Sequence, residues 1–365
     1  MSIMDSYKPC GSKVLLVTTE LVSTGPNHVV YNLLTEMVAD NVDVCVVSLR
    51  TSRDIAFVNK IVSLGVDVYQ LKSKLPLIQL NEIIRKINPS VINTHGIKPD
   101  LYVGLLGQLN DFKQFSTIHN VPYEDYIYRY GKVIGNLMIY GHKIIFNSHR
   151  IGKICVSKNI ERHLINRGAK YTFTVYNGVD SKVYNIEKRD SSSVKRVIFC
   201  GQLVELKDPK TIVDIAKRFP EVEFSLLGDG PLKKVLYNAA TKNVTFYGTV
   251  DNVPEHFSNS DILLMPSKTE GMPMVLLEGL FCGLDAITTD ITIFKEIADI
   301  EGVKIHQYQK NNIESLESVL RKVLYNKVKK TDLEVLESTL SSKAMYESYM
   351  KIFNKRNDEN NIFDR

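Results

Sequence analysis

Short apolar runs alternate with segments of helical spacing along the first half of the chain. The runs KVLLVTTE (13–20) and VDVCVVSL (42–49) are rich in β-branched residues, which is typical of buried parallel strands. Between them, HVVYNLLTEMVAD (28–40) repeats its apolar residues at helical spacing, so the three segments predict a βαβ unit. The same alternation predicts further strands at 66–71, 90–95, 112–119 and 143–148 and further helices at 54–64, 79–87, 99–109, 123–141 and 157–167.

A charged, serine-rich stretch, NIEKRDSSSVKR (185–196), interrupts this alternation and predicts a linker. The pattern then restarts, with strands predicted at 196–203, 222–227, 244–250, 261–267 and 285–290 and helices between them. A chain of 365 residues exceeds the usual size of one hydrophobic core. We therefore predict an α/β protein of two facing Rossmann-like domains with parallel sheets and an interdomain cleft. The predicted domains are an N-terminal domain of residues 1–188 and a C-terminal domain of residues 189–340. Residues 341–365 are predicted to form a C-terminal helix and a disordered tail. In one arrangement this helix crosses back to the N-terminal domain.

Composition places the chain among ordinary globular proteins, with 44% apolar and 24% charged residues. Its five cysteines are scattered and lack metal-ligand spacing, which favours free thiols in a reducing cytoplasm. The amino terminus has no apolar core like that of a signal peptide, and no run approaches 18 apolar residues. We expect a cytoplasmic protein, with a peripheral position at the inner face of the membrane as an option.

Positive charge is concentrated in the first half, where residues 1–185 contain 21 Lys and Arg against 14 Asp and Glu. Within that half, YEDYIYRYGKVIGNLMIYGHK (123–143) combines five tyrosines with Arg129, Lys132 and Lys143. Tyrosines and cations around apolar positions are typical of a helix at a lipid headgroup layer, and 123–143 is our candidate membrane surface. A helix packed on its own sheet fits equally well. Nucleic-acid binding is disfavoured, because the basic residues form no concentrated stripe with aromatic platforms.

The stretch EGMPMVLLE (270–278) carries a carboxylate at each end of an apolar run. It follows the predicted strand DILLMPS, so Glu270 is expected on the loop at the strand's carboxyl end. Pro273 is suited to the start of a helix, which places Glu278 about a turn and a half into it, with Gly283 as its stop. A helix amino terminus attracts anions, so a phosphorylated ligand fits there. Both acids would then accept hydrogen bonds from the hydroxyls of that ligand. The alternative is a surface acid plus a helical acid paired with a basic residue.

Other strand-to-helix turns carry groups that suit a phosphorylated ligand. Lys207 lies in GQLVELKDP (201–209), where it could neutralise a diphosphate, and LLGDGP (226–231) is a strand followed by a glycine turn. Gly25 shapes the loop before the first helix, and His95 and His119 follow successive strands. Each has a plain structural alternative, namely an ordinary turn or a structural histidine.

Taken in order, these segments resemble a family-4 glycosyltransferase with the two-domain GT-B fold. The resemblance spans nearly the whole chain and includes the family's signature of two glutamates separated by seven residues, here Glu270 and Glu278. The matching segments are TGPNHVVYNLL (24–34), STIHN (116–120), VYNGVD (175–180), GQLVELKD (201–208), LLGDGP (226–231), VPEHFSNSDILLMPSKTEGMPMVLLEGLFCG (253–283) and Glu296.

The resemblance implies transfer of a sugar from a nucleotide diphosphate, most simply a UDP-sugar, with retention of anomeric configuration. It implies no cofactor and no obligatory metal, and a glycan or lipid-linked acceptor in bacterial surface polysaccharide synthesis. By this analogy Glu278 binds the donor ribose, Glu270 contacts the sugar, Lys207 holds the diphosphate, Gly25 approaches the phosphates, and His119 lies beside the reacting carbon. The catalytic set is thus His119, Glu270 and Lys207; the donor site adds Gly25, Gln202, Gly228, Gly271, Met272, Pro273 and Glu278, and the acceptor side His95, Asn120 and Tyr123.

Three departures from the family pattern bear on the donor site. Gln202 stands where the family often has Arg, Asp285 replaces a common proline, and ITIFKE (291–296) lacks the usual glycines before Glu296. These changes keep two alternatives open: a catalytically silent partner subunit of a glycosyltransferase complex, and a sugar-nucleotide epimerase on the same architecture. The complete glutamate signature favours transfer over epimerisation.

Overall fold

The structure, a computed structural model, describes residues 13–73, 75–107, 109–184 and 195–355, with the backbone alone for residues 122–126 and 128–130. The described chain divides into two compact units. The first unit contains the residues up to Asn177 together with those from Ser342 onward, and the second unit is Gly178–Ser341. Each unit is an α/β domain with its own parallel sheet, which confirms the predicted fold class. The predicted boundary at 188–189 and the predicted tail lie outside the described residues.

The first unit is built on a seven-stranded parallel sheet with the order β3-β2-β1-β4-β5-β6-β7. Every residue of β1 is buried, as expected for a central strand covered on both faces. Its elements are β1 Val14–Thr18, α1 Gly25–Ala39, β2 Val44–Ser48, α2 Ile55–Val62, β3 Asp67–Gln70, α3 Pro76–Ile87, β4 Val91–His95, α4 Ile97–Leu106, β5 Lys113–Ile118, α5 Pro122–Asn147, β6 Ile151–Cys155, α6 Lys158–Ile165 and β7 Thr172–Thr174.

The second unit is built on a six-stranded parallel sheet with the order β10-β9-β8-β11-β12-β13. Its apolar core includes Phe199, Phe224 and Leu264 from three of the strands. Its elements are α7 Ser181–Tyr184, β8 Arg196–Cys200, α8 Pro209–Ala216, β9 Glu223–Leu227, α9 Lys233–Ala239, β10 Val244–Gly248, α10 Val253–Ser258, β11 Ile262–Met265, α11 Met274–Phe281, β12 Asp285–Thr289, α12 Thr292–Ala298, β13 Ile305–Tyr308, α13 Ile313–Tyr325 and α14 Leu333–Leu340.

The last helix, α15 (Ser342–Phe353), belongs to the first unit and packs against α1. The hydroxyls of Ser342 and Tyr346 hydrogen bond to carboxylates on and just after α1, and the Tyr349 hydroxyl lies 3.1 Å from that of Thr117. Hydroxyl groups on the buried face of the helix therefore fix its register on the first unit.

One predicted strand is wrong. Residues 143–148 were expected to form a strand, but α5 continues to Asn147 and the strand is β6. The pattern misled because β6 contains Gly152 and Lys153, which weaken its apolar character. A Cβ at Gly152 would lie 2.4 Å from the Phe115 ring, so the glycine makes room for that ring. Lys153 is buried and donates to the carbonyls of Ser148 and Ile151 at 2.7 and 2.9 Å. Strands β7 and β13 were not anticipated.

The carboxyl ends of the strands position the loops of interest. In the first unit, Thr18 at the end of β1 pairs in register with His95 at the end of β4, and His95 pairs with Thr117. In the second unit, Cys200 at the end of β8 pairs with Leu227 at the end of β9. The loops that follow these residues meet at one edge of each sheet, where parallel sheets bind ligands. No helix of the described chain is long and apolar enough to cross a membrane.

Candidate active site

The two signature glutamates lie where the sequence predicts them. Glu270 is on the loop after β11, and Glu278 is in the fifth position of α11. Pro273 directly precedes the first residue of that helix. The apolar residues between the acids are almost all buried, so the helix is anchored on its sheet by its apolar face. The two carboxylates are therefore carried by a fixed support.

Lys207 and Glu270 form an ion pair, with 2.5 Å between Nζ and Oε1. They come from the loops after β8 and β11, which are neighbouring strands. The Glu270 side chain is 8% exposed and that of Lys207 is 31% exposed. The charge of the carboxylate is thus balanced inside the protein, and the lysine keeps contact with solvent. A diphosphate that binds Lys207 competes with Glu270 for the same ammonium group.

Glu278 is buried and has a tyrosine beside it that the sequence analysis missed. The Tyr184 hydroxyl hydrogen bonds to the Glu278 carboxylate. Burial raises the pKa of the Tyr184 phenol, and the negative charge of Glu278 raises it further. Burial also raises the pKa of the nearby Cys200 thiol to about 12, again with a contribution from Glu278. Two neutral groups therefore lie near the carboxylate, and one of them, the phenol, donates a hydrogen bond to it. Nothing in the local sequence NGVDSKVY distinguishes this tyrosine from an ordinary packing residue.

The glycine turn after β9 packs backbone against backbone on the loop after β8. Gly228 has φ 124°, and a Cβ there would lie 2.0 Å from the carbonyl oxygen of Gly201. Hydrogen bonds from Gly201 N to Leu227 O and from Leu203 N to Asp229 O, both 2.9 Å, join the two loops. The glycine at 228 is thus required by the protein's own chain, in addition to any approach of a ligand.

The other predicted donor-site residues of the second unit lie on the same loops. Gln202 is exposed on the loop after β8, while Gly271, Met272 and Pro273 are buried between Glu270 and α11.

In the first unit, His95 ends β4 and His119 directly follows β5. The Nδ1 atom of His95 lies 2.9 Å from Nε2 of His119, and the two rings stack with centroids 5.1 Å apart. Burial lowers the pKa of His119 to about 4, and burial together with the neighbouring His119 lowers that of His95 well below its ordinary value. The pair is therefore neutral near pH 7. The sequence predicts both histidines at this edge but not their contact.

The remaining predicted residues of the first unit lie near the same edge. Gly25 is the first residue of α1, whose preceding loop is held by the Asn27 side chain donating to the carbonyls of Glu20 and Val22. Asn120 is half-buried next to His119. The side chain of Tyr123 lies outside the described residues. Within the described ranges, no group of three or more His, Cys, Asp and Glu side chains could hold a metal ion.

Two family models together match most of the chain. Residues 23–183 match the model described as Glycosyltransferase Family 4, and residues 185–335 match the model described as Glycosyl transferases group 1. The chain is a glycosyltransferase of the family-4, GT-B type.

Named relatives and solved structures agree with this assignment. The glycosyltransferase is 26% identical over 305 residues to the O-antigen biosynthesis glycosyltransferase WclY of Escherichia coli. The alignment covers 79% of this chain and 82% of WclY. Its fold is similar to that of HepE from Anabaena in complex with UDP and glucose, with a TM-score of 0.79 at 13% identity, over 94% of this chain and 100% of HepE. It is also similar to that of sucrose-phosphate synthase from Thermosynechococcus elongatus, with a TM-score of 0.78 at 15% identity, over 94% of this chain and 98% of the synthase.

Proposed function

We propose that this glycosyltransferase moves a sugar from a UDP-sugar to a glycan or lipid-linked acceptor, with retention of configuration and without an obligatory metal. In the reaction, the bond between the sugar C1 and the diphosphate oxygen breaks. The acceptor hydroxyl loses its proton to the released diphosphate, and its oxygen bonds to C1 on the same face. The observation that carries the proposal is the Lys207–Glu270 pair beside the buried Glu278 at one edge of a parallel sheet. The UDP and glucose found in the similar structure of HepE support the choice of donor.

Each charged group of the second unit has a role that fits its chemistry. Lys207 binds the diphosphate and stabilises the negative charge that develops as the nucleotide leaves, which is the task that a metal ion performs in other transferases. Glu270, released from Lys207, accepts hydrogen bonds from the donor sugar. Glu278 accepts hydrogen bonds from the ribose, for which a buried carboxylate is a strong acceptor. In the first unit, Gly25 approaches the phosphates and His119 lies beside the reacting carbon, as the family resemblance implies.

The biological setting that we propose is the synthesis of a bacterial surface polysaccharide. Its support is the similarity to WclY, which is named for O-antigen biosynthesis. The acceptor in such a setting is a growing glycan, free or linked to a lipid.

The outer face of α5 supports a lipid-linked acceptor. Five apolar side chains there are exposed, with Val133 84% and Leu137 73% exposed, and two lysines flank them. The opposite face is anchored by a 2.8 Å contact between His142 and the buried Asp100, and by Ile145 and Phe146. An exposed apolar stripe beside cations fits an anionic bilayer surface. This outer face consists of Lys132, Val133, Ile134, Leu137, Tyr140, Lys143 and Ile144.

The activity is tested by incubating the protein with a panel of nucleotide sugars, with and without candidate acceptors. Free UDP and a glycosylated product from one donor support the proposal, and the anomeric configuration of the product, read by NMR, tests retention. Activity that persists in EDTA tests metal independence. Binding without turnover of any acceptor would favour the silent-subunit alternative, and conversion of the nucleotide sugar without UDP release would favour the epimerase. Glu270→Ala should abolish transfer in a folded protein.

The membrane surface is tested by flotation with liposomes of phosphatidylcholine alone or mixed with phosphatidylglycerol. The wild type should float with the anionic liposomes, and Leu137→Glu should not. Val235→Glu, at an exposed apolar residue of the second unit, serves as the matched control and should float like the wild type. If wild-type protein does not float, or if Leu137→Glu instead removes self-association, the outer face of α5 is not a membrane surface.

A further inference from the structure

The His95–His119 pair has two ring nitrogens without partners. Nε2 of His95 and Nδ1 of His119 are buried and make no hydrogen bond with any residue that the structure describes. Each neutral imidazole carries one N–H, and the single bond between the rings uses one of the two. One N–H and one bare nitrogen are therefore left over, and the direction of the bond between the rings decides which ring has which.

The two possible directions of this hydrogen bond leave the unpaired N–H on different rings. His95 is 5% exposed at the end of a strand in the interior of the sheet, whereas His119 is half-buried on the loop beyond β5. If His119 donated to His95, the unpaired N–H would be Nε2–H of His95, in the more buried place. Both leftover nitrogens are buried, so an unpaired N–H is costly on either ring. In the proposed function a substrate oxygen accepts from the ring on the loop, His119, which favours Nδ1–H of His95 donating to Nε2 of His119. The remaining N–H is then Nδ1–H of His119, on the loop side.

The strand ends around His95 are fixed by their own hydrogen bonds. Thr94 donates to the Phe115 carbonyl at 3.1 Å, and Asn93 donates to the hydroxyl of Thr117 at 3.0 Å. The backbone on either side of β4 is also paired in register with β1 and β5. His95 thus stands on a rigid element, which is the requirement for holding a second ring in one orientation.

We propose that His95 is a positioning residue, whose Nδ1–H fixes His119 in the tautomer that presents Nδ1–H to an oxygen of the substrate. This inference rests on the proposed function, because the partner of His119 is taken to be a sugar hydroxyl oxygen. A neutral N–H donor suits a hydroxyl and requires no charge on the sugar. Since both rings are neutral near pH 7, each with one N–H, the pair adds no positive charge at this position.

The tautomer is measured directly by long-range ¹H–¹⁵N correlation NMR of protein labelled with ¹⁵N-histidine at pH 7. The signals of His119 and His95 are assigned by their loss in His119→Asn and His95→Asn. Both rings of the wild type should be protonated at Nδ1, with a bare Nε2. A wild-type His119 protonated at Nε2 would overturn the proposal. This readout needs no substrate, so it stands even if no donor of the panel is turned over.

Two variants of similar shape test the effect on the reaction. His95→Asn keeps a polar atom near the position of Nδ1, and His95→Leu replaces the amide with methyl groups of the same branching. His95→Leu should mix the tautomers of His119 and lower kcat about tenfold, the effect of losing one orienting hydrogen bond, with a smaller change in the donor KM. His95→Asn should restore most of kcat and the single tautomer. Equal losses in both variants, with the His119 signals unchanged in both, would show that His95 only fills space.

Discussion

The carboxyl edges of the two sheets present different polar groups, although both sheets are parallel and both gather their loops there. The edge of the second unit carries an ion pair, Lys207–Glu270, and a further carboxylate, Glu278. The edge of the first unit carries two stacked imidazoles that are neutral near pH 7. One edge offers charge, and the other offers a neutral donor.

Exposure and pairing account for this difference. Lys207 keeps contact with solvent, and the Glu270 carboxylate lies 2.5 Å from its Nζ atom. His95 is buried with the half-buried His119 beside it, and no carboxylate of the described residues is bonded to either ring, so a positive charge on either ring is unfavourable. In our proposal the charged edge binds the charged part of the donor, the nucleotide diphosphate, and the neutral edge binds a sugar hydroxyl. The four predictions below alter one edge at a time.

The largest effect is expected from removing the cation of the charged edge. Lys207→Met should lower kcat/KM about 100- to 1000-fold, because the leaving diphosphate loses a positioned positive charge. Lys268→Met removes a half-buried lysine that pairs with Glu205 at 3.4 Å, and serves as the control with activity close to wild type. The measurement is the initial rate of UDP release with the donor that the panel identifies. A Lys207→Met enzyme within threefold of wild type would contradict the role given to the charged edge.

The backbone contact beneath the charged edge should affect stability next most strongly. Gly228→Ala should lower the free energy of unfolding by about 3 kcal/mol, because φ is 124° and the new methyl group meets a carbonyl oxygen. Gly65 in the first unit also has a positive φ, 80°, but has nothing within 4 Å of an added Cβ. Gly65→Ala should therefore cost only about 1 kcal/mol. Urea unfolding followed by circular dichroism gives both values, and equal losses would refute the close-packed turn.

The positions of most elements could be predicted, because strong apolar periodicity marks them. The strand that carries Cys200 is dense in apolar residues, and burial on both faces of a parallel sheet leaves little choice of structure. Strand β6 was missed because a glycine and a buried lysine interrupt its apolar run. The glycine makes room for the ring of Phe115, which is distant in sequence, and the lysine donates to the carbonyls of Ser148 and Ile151. Periodicity reports on one segment at a time and contains no such information.

The candidate site could be predicted as a set of positions but not as a set of contacts. The turn after each strand pointed to Lys207, Glu270 and His119, because parallel strands bring their carboxyl ends to one edge. That Lys207 bonds to Glu270, and His95 to His119, depends on side-chain directions across neighbouring strands. Tyr184 was missed altogether, since it lies in the short helix α7, whose sequence carries no motif for chemistry.

The neutral edge should make stability depend on pH. The pKa of His119 is about 4 in the folded protein and about 6.5 in an unfolded chain. The unfolded chain therefore binds a proton before the folded one, so the contribution is fully present above pH 6.5 and is lost as the pH falls towards 4. We expect His119 to account for a loss of about 3 kcal/mol over this window. Urea unfolding of His119→Gln should show a shallower pH dependence than wild type, and His149→Gln, at an exposed histidine, should not.

The smallest effect is expected at the phenol beside Glu278, and it tests whether the charged edge also depends on a neutral donor. Tyr184→Phe keeps the ring and removes only the hydroxyl that hydrogen bonds to Glu278. A single hydrogen bond that orients a carboxylate is worth about 1 kcal/mol, so the donor should bind roughly three- to tenfold more weakly, with kcat nearly unchanged. Tyr237→Phe, at an exposed tyrosine, is the matched control. Calorimetric titration with UDP separates the outcomes. Weaker binding means that the phenol holds Glu278 towards the ribose, as His95 holds His119 at the other edge. Tighter binding means that the phenol occupies the Glu278 carboxylate oxygen that the ribose needs. The two edges then share their topology but not the use of a neutral donor to position a second group.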